Sequence, residues 1–267
     1  MRIKINGWSM NYVERGAPGA TPIIFIHGFP FSHDMWEPQM RALPNQFRAI
    51  AYDLRGHGQS DVGDGQYNIE FFVDDLVGLM DHLVVERATV CGLSIGGYIA
   101  LRALERHPDR FHGLVLCDTK SSPDSDEGRI KRAASLRSVK MNGVSPFADE
   151  FVKTVFAPAT FSAHPEIVEA IRSVIKGTSP LAVGGTLLAL AARTDTTASL
   201  ANIRVPTLIL CGEQDLLTPP KESESMHAKI AGSTYRLIPS AAHLSNLENP
   251  AVFNDALIAF LKSLPHA

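Results

Sequence analysis

A short apolar run, Ala88-Thr89-Val90-Cys91, leads directly into Gly92-Leu93-Ser94-Ile95-Gly96-Gly97 and then into a helix-like segment from Tyr98 to Arg106. A strand that turns this sharply into a helix pushes the hydroxyl at the turn out of the backbone and leaves almost no room for side chains on either side. Gly92 and Gly96 supply that room, which marks Ser94 as a candidate nucleophile. The turn also commits this stretch to a strand followed by a helix, and the rest of the chain repeats that rhythm.

Segments around Arg2 to Ile5 and Met10 to Glu14 read as a hairpin joined at Asn6-Gly7. Pro22-Ile23-Ile24-Phe25-Ile26 is continuously apolar, as a strand covered on both faces should be, and His27-Gly28 ends it. A helical pattern from about Asp34 to Leu43, a strand from Phe47 to Tyr52 and a turn-rich stretch from Asp53 to Ser60 follow. Ile69, Phe72, Val73, Leu76, Leu79, Met80 and Leu83 recur at helical spacing ahead of the strand that carries Ser94. After the strand Gly113 to Cys117 the alternation stops, and residues 121–196 read as helices only, broken near Gly143, Ala163-His164-Pro165 and Gly177 to Pro180. Strands resume at Val205 to Gly212 and Thr234 to Ile238, and a helix from Pro250 to Leu264 closes the chain. This order predicts an α/β fold: a mostly parallel sheet with helices on both faces, an antiparallel start, and a helical insertion. The expected division is a core of residues 1–120 and 197–267 and an inserted cap of residues 121–196. In such sheets the chemistry lies beyond the carboxyl ends of the strands, where His27, Ser94, Asp118 and Asp215 fall.

At 267 residues the chain is long enough for one large α/β domain with an insertion. Its formal charge is −3 and its basic residues are scattered, which argues against nucleic acid or an anionic membrane as partner. The N-terminal residues Met1 to Gly7 lack the apolar stretch of a secretory signal, and no segment approaches bilayer length, so a soluble cytoplasmic protein is expected, monomeric or a small homo-oligomer. Cys91, Cys117 and Cys211 each end a strand-like run and read as buried, reduced thiols. No metal-ligand spacing, phosphate loop or dinucleotide fingerprint occurs, and no cofactor or metal is expected.

A serine hydroxyl is a weak nucleophile at neutral pH and needs a base, which in turn needs an orienting acid. His243 follows the last expected strand on a loop able to swing back over the strand ends. Asp215 lies just past the strand where the core resumes, so Ser94, Asp215 and His243 succeed one another in the chain order expected for a nucleophile elbow. Asp118, also at a strand end, is the alternative acid, whereas Glu213 sits too close to its strand. His33, His82, His107, His112, His164, His227 and His266 read as solvated side chains. Charge developing on a substrate carbonyl oxygen would be met by two backbone N–H groups, from Ile95 directly after the nucleophile and from Phe29 in the loop after His27-Gly28. His27 is expected to brace that loop, with Pro30 fixing its shape, and His57 to brace the turn after its own strand.

Taken together, His27-Gly28-Phe29-Pro30, the stretch Asp53 to Ser60, Gly92 to Gly97, Gly212-Glu213-Gln214-Asp215 and His243 resemble the α/β-hydrolase superfamily over nearly the whole chain. The resemblance implies the α/β-hydrolase fold, with an eight-stranded sheet and a helical cap. Within the superfamily the chain is similar to small bacterial carboxylesterases and to 3-oxoadipate enol-lactonases, whose pattern shares a stretch like Asn246-Leu247-Glu248; Leu114 to Thr119 and the cap resemble the esterases more. Haloalkane dehalogenases and epoxide hydrolases carry an aspartate where this chain has Ser94, the former usually followed by tryptophan where Ile95 stands here, and residues 121–196 lack the tyrosines of epoxide hydrolase caps.

The expected activity is hydrolysis of a small carboxylic ester through an acyl-enzyme. Lactone hydrolysis, cofactor-free perhydrolysis and a ligand-sensing role on the same fold are the alternatives. Phe147, Phe151, Val155, Phe156, Leu181, Leu187 and Leu188 are candidates for an apolar pocket wall. No cationic cluster is evident, which suits a neutral acyl group; a carboxylate-bearing lactone would call for Arg193, Lys153 or Arg137 over the site.

Overall fold

The computed structural model describes residues 1–265, so His266 lies outside the described residues. Eight strands form one sheet: β1 (Arg2–Ile5), β2 (Trp8–Arg15), β3 (Thr21–Ile26), β4 (Phe47–Tyr52), β5 (Ala88–Leu93), β6 (Phe111–Cys117), β7 (Thr207–Gly212) and β8 (Thr234–Ile238). Their spatial order is β1-β2-β4-β3-β5-β6-β7-β8. β2 pairs antiparallel with both β1 and β4, and every later pairing is parallel. Every residue of β4, β5, β6 and β7 is buried. Side chains alternate between the faces of a strand, so burial at every position requires cover on both faces. Exposed residues fall in β1 and β8, the two edge strands, where one side has no partner, and at the end of β2, at Glu14 and Arg15.

The helices of the core are α1 (Glu37–Ala42), α2 (Ile69–His82) and α3 (Ile95–Arg106). The five helices α4 (Asp126–Asn142), α5 (Val144–Val155), α6 (Thr160–Ala163), α7 (Pro165–Gly177) and α8 (Pro180–Ala191) lie between β6 and β7, and α9 (Pro220–Lys229), α10 (Ser245–Glu248) and α11 (Pro250–Ser263) complete the core. Local chemistry sets the ends. The Asn68, Ser125, Ser179 and Asn249 side chains accept from backbone N–H groups in the first turns of α2, α4, α8 and α11, satisfying donors that a helix leaves without partners. The apolar stripe of α2 is buried from Ile69 to Met80 as its spacing requires. The breaks in the insertion fall at Gly143, His164 and Thr178-Ser179, as expected, and also at Phe156 to Ala159, outside the expectation.

Other elements differ from expectation. The helix expected from Asp34 is split into a 3-10 turn, His33–Trp36, and α1. β2 begins at Trp8 instead of Met10 because Ile5 and Trp8 already pair across the turn. α9 carries no stripe to read, since only Ser223 and Met226 of its residues are buried.

The insertion leaves and rejoins the sheet at one point. The Ser121 carbonyl accepts from Thr196 N at 3.1 Å, and the Ser121 and Thr197 hydroxyls meet at 2.9 Å. A second attachment joins the insertion to the segment after β8: Leu244 N donates to the Val155 carbonyl, and the Glu248 carboxylate accepts from Ala157 N, Thr160 Oγ1 and Ala242 N. Among the described residues, no single helix is long and apolar enough to cross a membrane.

Candidate active site

β5 lies between β3 and β6 in the sheet, and Ser94 sits at its carboxyl end. Its backbone is strained, with φ 54° and ψ −114°, a region that a residue bearing a side chain adopts only under constraint. The constraint is visible on both sides of the peptide: Ser94 N donates to the Cys117 carbonyl at 3.0 Å, and the Ser94 carbonyl accepts from Thr119 Oγ1 at 2.8 Å. The expected need for glycine is steric. A Cβ on Gly92 would lie 2.2 Å from the Gly96 carbonyl oxygen, and one on Gly96 would lie 2.3 Å from that of Ile26. Ile95 opens α3, and its N–H belongs to the first turn, which has no acceptor within the helix.

Across from it the loop after β3 is pinned by His27. Nε2 of this ring accepts from Leu54 N at 2.9 Å and Nδ1 donates to the Gly28 carbonyl at 2.8 Å, which also accepts from Phe31 N. Burial lowers the His27 pKa to about 4, so the ring is neutral near pH 7, as this donor and acceptor pattern demands. The Phe29-Pro30 bond is cis, and the Phe29 ring packs against His57, Phe147 and Phe151. Neither Phe29 N nor Ile95 N has a hydrogen-bond acceptor among the described residues. His57 is fully buried, its Nδ1 on the Arg55 carbonyl at 2.9 Å and its pKa lowered to about 3 by burial. Both rings hydrogen-bond backbone groups of these loops.

His243 and Asp215 meet at 2.8 Å between Nδ1 and Oδ2, both buried. The Asp215 carboxylate is itself held by Leu217 N, Thr218 N and the Thr218 hydroxyl. Burial opposes its ionisation, but His243 and the Thr218 donors outweigh that and hold its pKa below the ordinary value. Burial likewise disfavours a charged His243, yet Asp215 beside it, with Asp118 and Glu248 further off, raises the pKa overall. Asp118 takes a different position from that of an alternative acid. It is fully buried with φ 45°, accepts from Gly212 N at 2.7 Å and from Ser245 Oγ at 2.5 Å, and makes no hydrogen bond to His243. It thus ties together the loops that carry Asp215 and His243. Asp118, Cys211 and Asp215 bring potential ligand atoms within 4.8 Å of one another, but the carboxylates are occupied as described and the Cys211 thiol donates to the Gly212 and Thr218 carbonyls.

Ser94 and His243 line one pocket of about 130 Å³ together with Phe29, Tyr98, Phe151 and Leu190. A larger groove of about 560 Å³, walled by Leu101, Leu104, Glu105 and Ile203, contains none of these groups.

Residues 21–250 match the family described as alpha/beta hydrolase fold. The chain belongs to that family. Among relatives of this hydrolase, 3-oxoadipate enol-lactonase 2 of Acinetobacter baylyi is 30% identical, the match covering 95% of this chain and 93% of that protein. A putative carbamate hydrolase RutD of a Caulobacter species is 30% identical over 90% of each chain. Of solved structures, a thermophilic esterase from Thermogutta terrifontis with malate bound is similar at a TM-score of 0.94, 36% identity and 98% coverage of both chains. The enol-lactonase from Burkholderia xenovorans is similar at 0.92 and 31%, covering 98% of this chain and all of that one. The hydrolase therefore resembles esterases and enol-lactonases along its whole length.

Several side chains stand elsewhere than the sequence suggests. His33 is buried, with Nδ1 2.8 Å from Asp53 Oδ1, because the buried Asp53 carboxylate needs donors. His112 is buried within β6, where both faces are covered. Leu181 and Leu188 are exposed on α8, whereas Val155, Phe156 and Leu187 are buried and Phe151 reaches the pocket. Arg193 is consumed by Asp124, the Ser122 carbonyl and the Tyr98 ring; Lys153 pairs with Glu150 at the surface; neither Lys153 nor Arg137 reaches the pocket. Lys120 and Arg132 do, which corrects the expectation of no cationic cluster. Thr218 also escaped notice, although a hydroxyl three residues after an aspartate is a recognisable turn pattern.

Proposed function

We propose that this hydrolase cleaves small carboxylic esters through an acyl-enzyme on Ser94, and that the helical insertion caps the site. The Ser94 oxygen attacks the substrate carbonyl carbon while His243 Nε2 takes its proton. Asp215 keeps Nδ1 protonated and the ring aligned. The oxyanion forms beside the Ile95 and Phe29 N–H groups; the alcohol then leaves with the proton returned by His243, and water enters by the same steps to release the acid. Water is the only co-reactant. The observation that carries this reading is the buried Asp215–His243 contact of 2.8 Å opening onto the same pocket as a strained, outward-turned serine.

A lactone is an ester whose leaving alcohol stays tethered, so the same groups suit the second reading, lactone hydrolysis, which the resemblance to two enol-lactonases favours. Ser94→Ala should lower turnover of p-nitrophenyl butyrate by roughly 10⁴-fold or more while leaving thermal unfolding intact. Labelling by a fluorophosphonate probe should add one adduct, on Ser94, in the wild type only. Full activity in the alanine variant would overturn the proposal.

A further inference from the structure

The carbonyl of Ser94 and the N–H of Ile95 belong to one trans peptide unit, so the two bonds point in opposite directions and whatever fixes the first aims the second. The Ser94 carbonyl accepts three hydrogen bonds, from Gly97 N at 2.9 Å and Tyr98 N at 3.2 Å in the first turn of α3 and from Thr119 Oγ1 at 2.8 Å. Thr119 is the one donor of the three outside the helix. With ψ at −114°, far from the helical value of about −42°, this peptide is rotated away from the plane that helix geometry alone would give it. The end of β6 supplies the grip: the Cys117 carbonyl accepts from Ser94 N, Asp118 turns the chain with φ 45°, and Thr119 reaches the other side of the same residue. Thr119 is fully buried, and its hydroxyl makes this hydrogen bond and no other among the described residues. A β-branched side chain has few choices of χ1, so the hydroxyl is held in place before any substrate arrives. Gly97, which the elbow itself does not require, makes room for it: a Cβ there would lie 2.4 Å from Thr119 Oγ1 and 2.5 Å from its Cγ2.

Resting on the ester-hydrolase reading above, we infer that Thr119 is a positioning residue for the oxyanion: its hydroxyl turns the peptide between Ser94 and Ile95 so that the Ile95 N–H faces the oxygen of the ester carbonyl under attack. Thr119 does not line the pocket and acts through the backbone alone. Charge on the substrate oxygen is greatest in the tetrahedral transition states, where an aimed donor is worth most, so Thr119 serves kcat in preference to KM. Misaiming a donor costs less than removing it. With two helical donors still on the Ser94 carbonyl, the expected loss is roughly five- to tenfold, against roughly 10²- to 10³-fold for an oxyanion donor removed outright.

Thr119→Val keeps the shape of the side chain and leaves the Ser94 carbonyl with its two helical partners, so thermal unfolding should hardly move. Its kcat on p-nitrophenyl butyrate should fall roughly five- to tenfold with KM nearly unchanged, and Thr119→Ser should recover most of the loss. A butyl trifluoromethyl ketone reads the same donor in a stable adduct: its carbonyl carbon takes the Ser94 oxygen, the π pair becomes the oxyanion, and the serine proton passes to His243. Its inhibition constant should weaken in Thr119→Val by the same factor as kcat falls. The acidic limb of the pH–rate profile should stay in place, because Thr119 makes no hydrogen bond to His243 or Asp215. Unchanged kcat and ketone affinity in Thr119→Val would overturn the inference; so would a loss that Thr119→Ser fails to recover, or one carried by KM or by a shifted limb, since each marks packing and not aim. Should Thr119→Val not fold, Thr119→Ala against Thr119→Ser gives the same comparison of hydroxyl with none. Activity that survives in Ser94→Ala would instead refute the ester-hydrolase reading itself, an outcome separate from Ser94-dependent turnover that is indifferent to the Thr119 hydroxyl.

Discussion

In the proposed mechanism His243 must be neutral to accept a proton from Ser94, and its pKa is raised above 6.5 despite burial because Asp215 faces it. Activity is lost as pH falls through that value, so the acidic limb of kcat/KM should lie above pH 6.5. Asp215→Asn removes both the charge and the correct hydrogen-bond partner while burial remains. The limb should move to lower pH and kcat should fall roughly 10³- to 10⁴-fold, which a pH–rate profile of the two proteins measures. An unmoved limb would show that Asp215 does not set the charge of His243. At the elbow, Gly96→Ala forces a methyl against the Ile26 carbonyl. Backbone yields less readily than side chains, so a loss of about 3 kcal/mol in urea unfolding is expected, with activity reduced further as the Ile95 N–H is displaced. These residues were legible because turn sterics and strand-end placement are local properties. Lys120 and Arg132 were not, because they converge from a strand end and a helix whose docking angle no periodicity fixes; Arg193 looked equally available in the sequence, but Asp124 holds it.

Between elements, Asp118 is the joint of the site. Its two oxygens serve donors on the segments after β7 and after β8, so Asp118→Ala leaves both buried donors unpaired and should cost about 2–4 kcal/mol. Asp118→Asn keeps an acceptor and tolerates the positive φ, and should cost far less. The two variants also separate by pH. Burial, then the adjacent Asp215, raise the Asp118 pKa well above 3.8. The folded protein therefore holds a proton that the unfolded chain releases, and the stability this supplies is full below pH 3.8 and is lost as pH rises through the folded value. Asp118→Asn imitates the protonated acid and should flatten that decline, read from urea unfolding as pH rises above 3.8. The strand and helix order was readable because β3 and β5 to β7 are short apolar runs and α2 has a clean stripe. α9 was missed because a helix that buries two residues leaves no stripe.

Across the whole molecule, the Glu248 carboxylate accepts two hydrogen bonds from the inserted segment, from Ala157 N and Thr160 Oγ1, and a third from Ala242 N. Asn246-Leu247-Glu248, which in the sequence is only a shared pattern, thus gains a physical role. Asn246 Nδ2 donates to the Met35 carbonyl and to Gln39, while Glu248 fastens the insertion to the residue before His243. Glu248→Ala should speed hydrogen exchange in α5 to α7 and lower kcat, with exchange in β3 to β7 unchanged; uniform acceleration across the sheet would refute this partition. The seam at Ser121, Thr196 and Thr197 has a wider consequence. A segment that departs and returns at adjacent positions can lengthen, shorten or be traded for another without moving any strand past its neighbour. On the proposed function, substrate range could thereby be rewritten in one module while the machinery beneath it is inherited whole.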